Sequence, residues 1–176
     1  KQEFHRHVLY VDLPTGQVSF HTAARGSGPI YPGAWDGVRD LRIDSNGDLL
    51  LAIGDATGHG AAAGTMVTVA KSLFMAGGDD ASPAAFLRRA TGLVHGMGLS
   101  RMAMALAVAR LSGRNLTISS AGMPPALHLS GATGEIEEIA LAGMPLGARS
   151  DYPYAERRIE LATGDPVLLM SDGFPE

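Results

Sequence analysis

The heptapeptide Gly54-Asp55-Ala56-Thr57-Gly58-His59-Gly60 sets a carboxylate and an imidazole into a glycine-rich turn. It directly follows Leu49-Leu50-Leu51-Ala52-Ile53, so Asp55 stands where an apolar strand ends. A carboxylate there stays ionised only beside a cation or hydrogen-bond donors, and glycines let a ligand or metal approach the backbone closely. Val167-Leu168-Leu169-Met170-Ser171-Asp172-Gly173 repeats the pattern, with an apolar run, an aspartate and a glycine. Two such strand-end aspartates on one sheet can share a divalent metal in an all-oxygen site, the type hard cations prefer. Each has a plainer reading. Asp55 can accept hydrogen bonds from its own loop, and Asp172-Gly173 is a common turn pair. Nucleotide binding of the Walker type fits poorly, because no lysine follows the second loop glycine and Lys71 lies a full helix away. His59 has the chemistry to donate a proton to a leaving oxygen, or it can simply bond to the loop backbone. The other five histidines, His5, His7, His21, His95 and His128, show no metal-ligand spacing beyond the N-terminal pair and are assigned no function.

The elements that must position these residues follow from periodicity and turn chemistry. His7 to Leu13 and Gln17 to Ala23 are β-rich runs around Pro14-Thr15-Gly16, which predicts a hairpin. Arg25 to Gly37, rich in glycine and proline, reads as a structured loop. After the Asn46-Gly47 turn, Leu49 to Ile53 does not alternate, which predicts a central strand covered on both faces. Ala61 to Ala76 places Met66, Val69, Ala70 and Leu73 on one helical face and stops at Gly77-Gly78. A second helix starts at the Ser82 cap with Pro83 in its first turn, runs to about His95, and is expected to pack antiparallel to the first. Six strands follow: Met102 to Leu111, Leu116 to Ala121, Ala126 to Ser130, Ile136 to Ala140, Tyr154 to Leu161 and Val167 to Ser171. Strands clustered around one helical pair, without strand-helix alternation, predict an α+β fold with largely antiparallel sheets.

Composition narrows the function classes. A length of 176 residues is that of one domain, and 23 glycines and 10 prolines are too few for a low-complexity chain. The net charge of -4 has the wrong sign for phosphate backbones or anionic lipid, so neither nucleic acid nor a membrane surface is an expected partner. The absence of cysteine removes a thiolate nucleophile, a disulfide framework and Cys-ligated zinc, and fits a cytoplasmic setting. No apolar run approaches the length of a bilayer span.

Four segments in order resemble the metal-dependent PPM-type protein serine/threonine phosphatases, in the bacterial branch typified by stage II sporulation protein E and the stress-response sigma-factor regulators. They are Ile53 to Gly60 with Ala63-Gly64-Thr65-Met66-Val67-Thr68; Ser119 to Leu127; Gly143-Met144-Pro145-Leu146-Gly147; and Leu168 to Gly173. The resemblance covers about Val18 to the C-terminus. It implies a β-sandwich of antiparallel sheets flanked by helices, two Mn²⁺ or Mg²⁺ ions at one end, and a water that attacks phosphoserine or phosphothreonine directly. By motif position Asp55 is the bridging ligand, the Ala56 carbonyl a further ligand, and Asp172 a ligand from the late strand. The family's first metal aspartate matches Pro32-Gly33-Ala34-Trp35-Asp36, where alanine occupies the aspartate position and Asp36 lies two residues later. Asp36 is either a shifted ligand or a solvated loop residue. The family's last metal aspartate lies beyond the Ser171-Asp172-Gly173 segment, so a domain truncated at its C-terminus is expected. The resemblance further implies a phosphorylated anti-anti-sigma-type protein as substrate, an upstream sensor domain whose linker would end at Lys1 to Arg6, and scope for a homodimer. The competing expectation is a degenerate phosphatase fold that binds a phosphoprotein without turnover.

Overall fold

The computed structural model describes the backbone of residues 6–12, 17–23 and 37–40, and residues 41–58, 60–77, 80–98 and 102–171 with their side chains. The order is β1 (Arg6–Asp12), β2 (Gln17–Ala23), β3 (Gly37–Ile43), β4 (Leu49–Ala56), α1 (Ala61–Ala76), α2 (Pro83–Gly96), β5 (Met104–Ser112), β6 (Asn115–Ala121), β7 (Ala126–Leu129), β8 (Ile136–Ile139), β9 (Glu156–Glu160) and β10 (Val167–Leu168). β1 and β2 form the expected hairpin, in register from Arg6↔Ala23 to Asp12↔Gln17. A five-stranded sheet has the order β3-β4-β5-β6-β9, a three-stranded sheet the order β10-β7-β8, and every pairing is antiparallel. The predicted α+β class with antiparallel sheets and flanking helices is what the chain adopts.

Two apolar clusters hold the layers together, one on each side of the large sheet. Leu50, Ala52, Leu106 and Val108 face Met66, Ala70 and Phe74 of α1 and Phe86, Leu87, Ala90 and Val94 of α2. On the opposite face, Ala109, Leu116 and Ile118, with Leu51 and Leu111, meet Ala126, Ile139 and Val167 of the small sheet. β4 is thus covered on both faces as expected, although its burial alternates residue by residue. The helices meet edge to face through Phe74 and Phe86, with ring centres 5.9 Å apart. α2 begins as its sequence dictates: the Ser82 hydroxyl accepts the Ala85 N–H at 3.3 Å and proline occupies the first turn. Its periodicity misleads at one point. Leu93 is 48% exposed, and Thr91 is fully buried.

Three expectations need correction. The segment Gly37–Ile43, for which no strand was expected, is β3, the edge of the large sheet among the described residues; Arg39, Asp40 and Arg42 in its sequence break the apolar alternation and suit an edge position. The central strand does not stop at Ile53. It continues through Gly54 and Asp55 to Ala56, paired with Leu106, Ala105 and Met104. Finally, β10 lies in the small sheet beside β7, so the strands leading to Asp55 and Asp172 belong to different sheets instead of one.

Candidate metal-binding site

Asp55 and Ala56 are the last two residues of β4, and the strand pleat sends them to opposite faces. Ala56 is buried and joins the cluster beneath the helices. Asp55 is half-buried and shares the face of Leu51, which packs against the cluster between the two sheets. Across the ladder Asp55 stands between Gly37 of β3 and Ala105 of β5. Asp55 thus stands one residue from the end of the β4–β5 ladder, the rim of the large sheet, on the face turned toward the small sheet.

The glycines around it serve different purposes. A Cβ on Gly54 would lie 2.5 Å from the Ala105 carbonyl oxygen, 2.7 Å from Leu106 Cδ1 and 2.8 Å from Met104 Cε, so only glycine lets β4 approach β5 this closely. Gly58 and Gly60 have φ values of 88° and 76°, and a Cβ on either would meet nothing within 4 Å among the described residues. They are there for the turn, which their positive φ values require. Gly60 is also the N-cap of α1, which has no side-chain cap and no acidic residue in its first turn.

Between these glycines, Thr57 fastens the loop to the chain entering β5. Its N–H donates to the Ala103 carbonyl at 3.0 Å, and its hydroxyl donates to the same oxygen at 2.8 Å while accepting the Ala103 N–H at 3.2 Å. The Ala56 carbonyl and the Thr57 N–H belong to one trans peptide unit and therefore point in opposite directions. With the N–H turned toward β5, the carbonyl turns toward the β3 side, where the described pairing has already ended at Gly37.

The second and third motifs brace this arrangement. The Ser120 hydroxyl accepts the Met123 N–H at 3.1 Å and closes a rigid turn that contains Gly122 at φ 84°. The 143–147 segment lies on that turn: a Cβ on Gly143 would run into the Ser120 carbonyl, and Pro145 packs against Gly122. Leu146 N–H donates to the Met104 carbonyl at 2.8 Å, and Met104 is the residue opposite Ala56. From the helix side, the Thr91 hydroxyl accepts the Gly147 N–H at 3.1 Å and donates to the Arg149 carbonyl at 2.8 Å, and His95 Nδ1 lies 2.9 Å from the Gly147 carbonyl. Tyr154 donates to the Met144 carbonyl at 2.8 Å; burial pushes its hydroxyl pKa up. Sequence reasoning missed Thr57 and Thr91. Their partners are 46 and 56 to 58 residues away, and no local pattern announces them.

Other charged groups are structural. At the far end of β4, Asp44 accepts N–H bonds from Asn46 and Asp48 at 2.9 Å and pairs with Arg110 at 3.1 Å. Burial pushes its pKa up, but these bonds and the charges of Arg110 and Arg42 outweigh burial and leave it lowered. In the small sheet, Asp165 accepts N–H bonds from Gly131 and Ala162 and sits 3.1 Å from His128 Nε2, which together hold its pKa at about 2. His128 is thus paired within the small sheet and has no place at the rim.

Of the five predicted site residues, the structure places Asp55 and Ala56 side by side at the rim; Asp36, His59 and Asp172 lie outside the described residues, as does Ala34. Among the described residues no group of three histidines or acids gathers to hold a metal. The donors that are described, a carboxylate and a peptide carbonyl, are hard oxygen ligands of the type Mg²⁺ and Mn²⁺ take.

Comparison with known proteins agrees with this architecture. The family model described as stage II sporulation protein E (SpoIIE) matches residues 45–176. The chain belongs to this family. No curated protein matches the sequence. Among solved structures, the fold is similar to the RsbU and RsbW domains of Rv1364c from Mycobacterium tuberculosis, with a TM-score of 0.68 at 21% identity over 85% of this chain and 41% of that one. It is also similar to the SiaA-PP2C domain of Pseudomonas aeruginosa, with a TM-score of 0.66 at 22% identity over 79% of this chain and 56% of that one. A third is RsbX in complex with magnesium, with a TM-score of 0.60 at 16% identity over 80% and 68% of the respective chains. The chain spans less than half the length of the Rv1364c structure. The SpoIIE family and the PPM-type fold expected from the four motifs are therefore both borne out, and among the described residues no helix is long and apolar enough to cross a membrane.

Proposed function

We propose that this SpoIIE-family domain hydrolyses phosphoserine or phosphothreonine on a small regulatory protein of the anti-anti-sigma type, in the cytoplasm. The observation that carries the proposal is the Asp55 carboxylate next to an Ala56 carbonyl turned away from β5, at the glycine-rich end of the β4–β5 ladder. Asp55, the Ala56 carbonyl and Asp172 are the residues to hold the Mn²⁺ or Mg²⁺ ions, which when bound supply Lewis acidity and an acidified water for in-line attack on phosphorus. Asp55 offers its carboxylate from the paired end of strand β4. His59, four residues on in the same loop sequence, is the residue to protonate the leaving serine or threonine oxygen. No cysteine takes part, because the chain has none. RsbU-type and RsbX neighbours, and a similar fold described from the bacterial stressosome, support a substrate from a partner-switching system.

The test is phosphate release from a phosphoserine protein with and without Mn²⁺, in the wild type and in Asp55→Asn. The expected outcome is Mn²⁺-dependent release, lost at least a hundredfold in the variant, with unfolding unchanged because a rim carboxylate contributes little packing. Wild-type turnover in Asp55→Asn would refute the assignment. A second reading has its own observation: Gly33-Ala34-Trp35 puts alanine where the family's first metal aspartate stands, which favours a domain that binds a phosphoprotein without turnover. That reading requires no Mn²⁺-dependent release from either protein.

A further inference from the structure

The structure assigns to the Thr57 hydroxyl the role of positioning group for the Ala56 carbonyl, an assignment that rests on the metal-binding reading of this loop. The β4–β5 register runs from Leu49↔Leu111 to Ala56↔Met104, so the next rung sets Thr57 opposite Ala103. In a regular antiparallel rung of this kind the two residues exchange both N–H to carbonyl bonds. Here only one is of that kind: Thr57 N–H donates to the Ala103 carbonyl at 3.0 Å. The return bond from Ala103 N–H ends on the Thr57 hydroxyl at 3.2 Å, and the hydroxyl donates its own proton to the Ala103 carbonyl at 2.8 Å. A hydroxyl has one proton to give and lone pairs to accept with, so it fills both roles at once.

This substitution has two effects. The Thr57 carbonyl leaves the ladder, and the chain can turn out of the sheet at Gly58, whose φ is 88°. The Thr57 N–H stays in the ladder, and because the peptide unit is planar the Ala56 carbonyl on its other side is held pointing away from β5. Without the hydroxyl, the Ala103 N–H loses its acceptor and the rung keeps a single bond about which the Ala56–Thr57 peptide can rock. Thr57 is exposed, so its side chain is not required for packing.

The experiment uses the full chain and Mn²⁺ alone, by calorimetric titration of the wild type, Thr57→Val and Thr57→Ser, with amide exchange at Ala103 measured on the metal-free proteins. Valine keeps the shape and removes the hydroxyl; serine keeps the hydroxyl. Expected are about tenfold weaker Mn²⁺ binding and faster Ala103 exchange in Thr57→Val, with both restored in Thr57→Ser, in line with the cost of losing groups that orient metal ligands. Equal Mn²⁺ affinity in the wild type and Thr57→Val overturns the assignment, as does a serine variant as weak as valine. If the wild type itself binds no Mn²⁺, the metal-binding reading fails and takes this one with it.

Discussion

Replacing Gly54 by alanine tests whether the close approach of β4 to β5 beside Asp55 demands glycine. The added Cβ would stand 2.5 Å from the Ala105 carbonyl oxygen, 2.7 Å from Leu106 Cδ1 and 2.8 Å from Met104 Cε. Both side-chain ends can swing aside, although Leu106 and Met104 are fully buried and have little room. The carbonyl cannot move without opening the ladder at Asp55↔Ala105. Overpacking of this kind costs about 1–3 kcal/mol, and backbone obstruction places Gly54→Ala at about 3. Alanine returns roughly 0.4–1 kcal/mol by restricting the unfolded chain, which leaves a net loss of about 2 kcal/mol. For a domain of this size that is a fall in Tm of roughly 4–8 °C. Urea unfolding of the metal-free proteins measures it, with an unchanged slope showing that stability has changed and the compactness of the two states has not. Gly58→Ala is the contrast, because its Cβ meets nothing among the described residues and its cost comes from the positive φ, so asparagine there is better tolerated than alanine. A Gly54→Ala protein within 0.5 kcal/mol of the wild type would refute the steric reasoning.

Three further outcomes are expected. Thr91→Val strands the Gly147 N–H and the Arg149 carbonyl under a buried side chain and should cost about 2–3 kcal/mol in urea unfolding, whereas Thr91→Ser should lose about 1; an unaffected valine variant would show that the two bonds carry no net stability. Asp165 has a folded-state pKa of about 2 against an ordinary value of 3.8, so its carboxylate stabilises the fold above pH 3.8 and that contribution disappears as pH falls toward 2; the gap in unfolding midpoint between the wild type and Asp165→Asn should close over that window, and a gap that does not narrow would refute the assignment. At the upstream motif, Asp36→Ala should leave Mn²⁺ affinity unchanged and Ala34→Asp should raise it, because Gly33 and Trp35 flank position 34 as glycine and an aromatic flank the family's aspartate; a strong loss of Mn²⁺ binding in Asp36→Ala would place the ligand at Asp36.

What the sequence disclosed and what it withheld divide along the range of the interactions. α2 was legible because Ser82 and Pro83 fix its start through bonds made within four residues. Asp55 was legible because an ionisable group after five apolar residues is anomalous in any fold. β3 was not, since Arg39, Asp40 and Arg42 reflect its place at a sheet edge, which is a fact about its neighbours. The sheet to which β10 belongs was equally hidden, because Val167-Leu168 reads the same beside β7 as beside β4. Gly54 and Gly58 are the same residue four positions apart, yet one is required by an oxygen on another strand and the other by its own φ.

The same division explains why three of the described motif segments contribute so few chemical groups. Ala56 faces Met104, Met104 binds Leu146, and the next residue, Gly147, is held by Thr91 and His95 of α2. Each link is a backbone group whose position is set by a glycine, a proline or a buried hydroxyl, and none is a residue that would touch a substrate. A site built from a peptide carbonyl has no rotamer with which to correct an error in the main chain, whereas a carboxylate does. Backbone placement near Ala56 must therefore be fixed from both sides, by Thr57 through Ala103 and by the 143–147 segment through Met104. The side chains that bring chemistry can then be few, because the scaffold beneath them is held by bonds that span the fold.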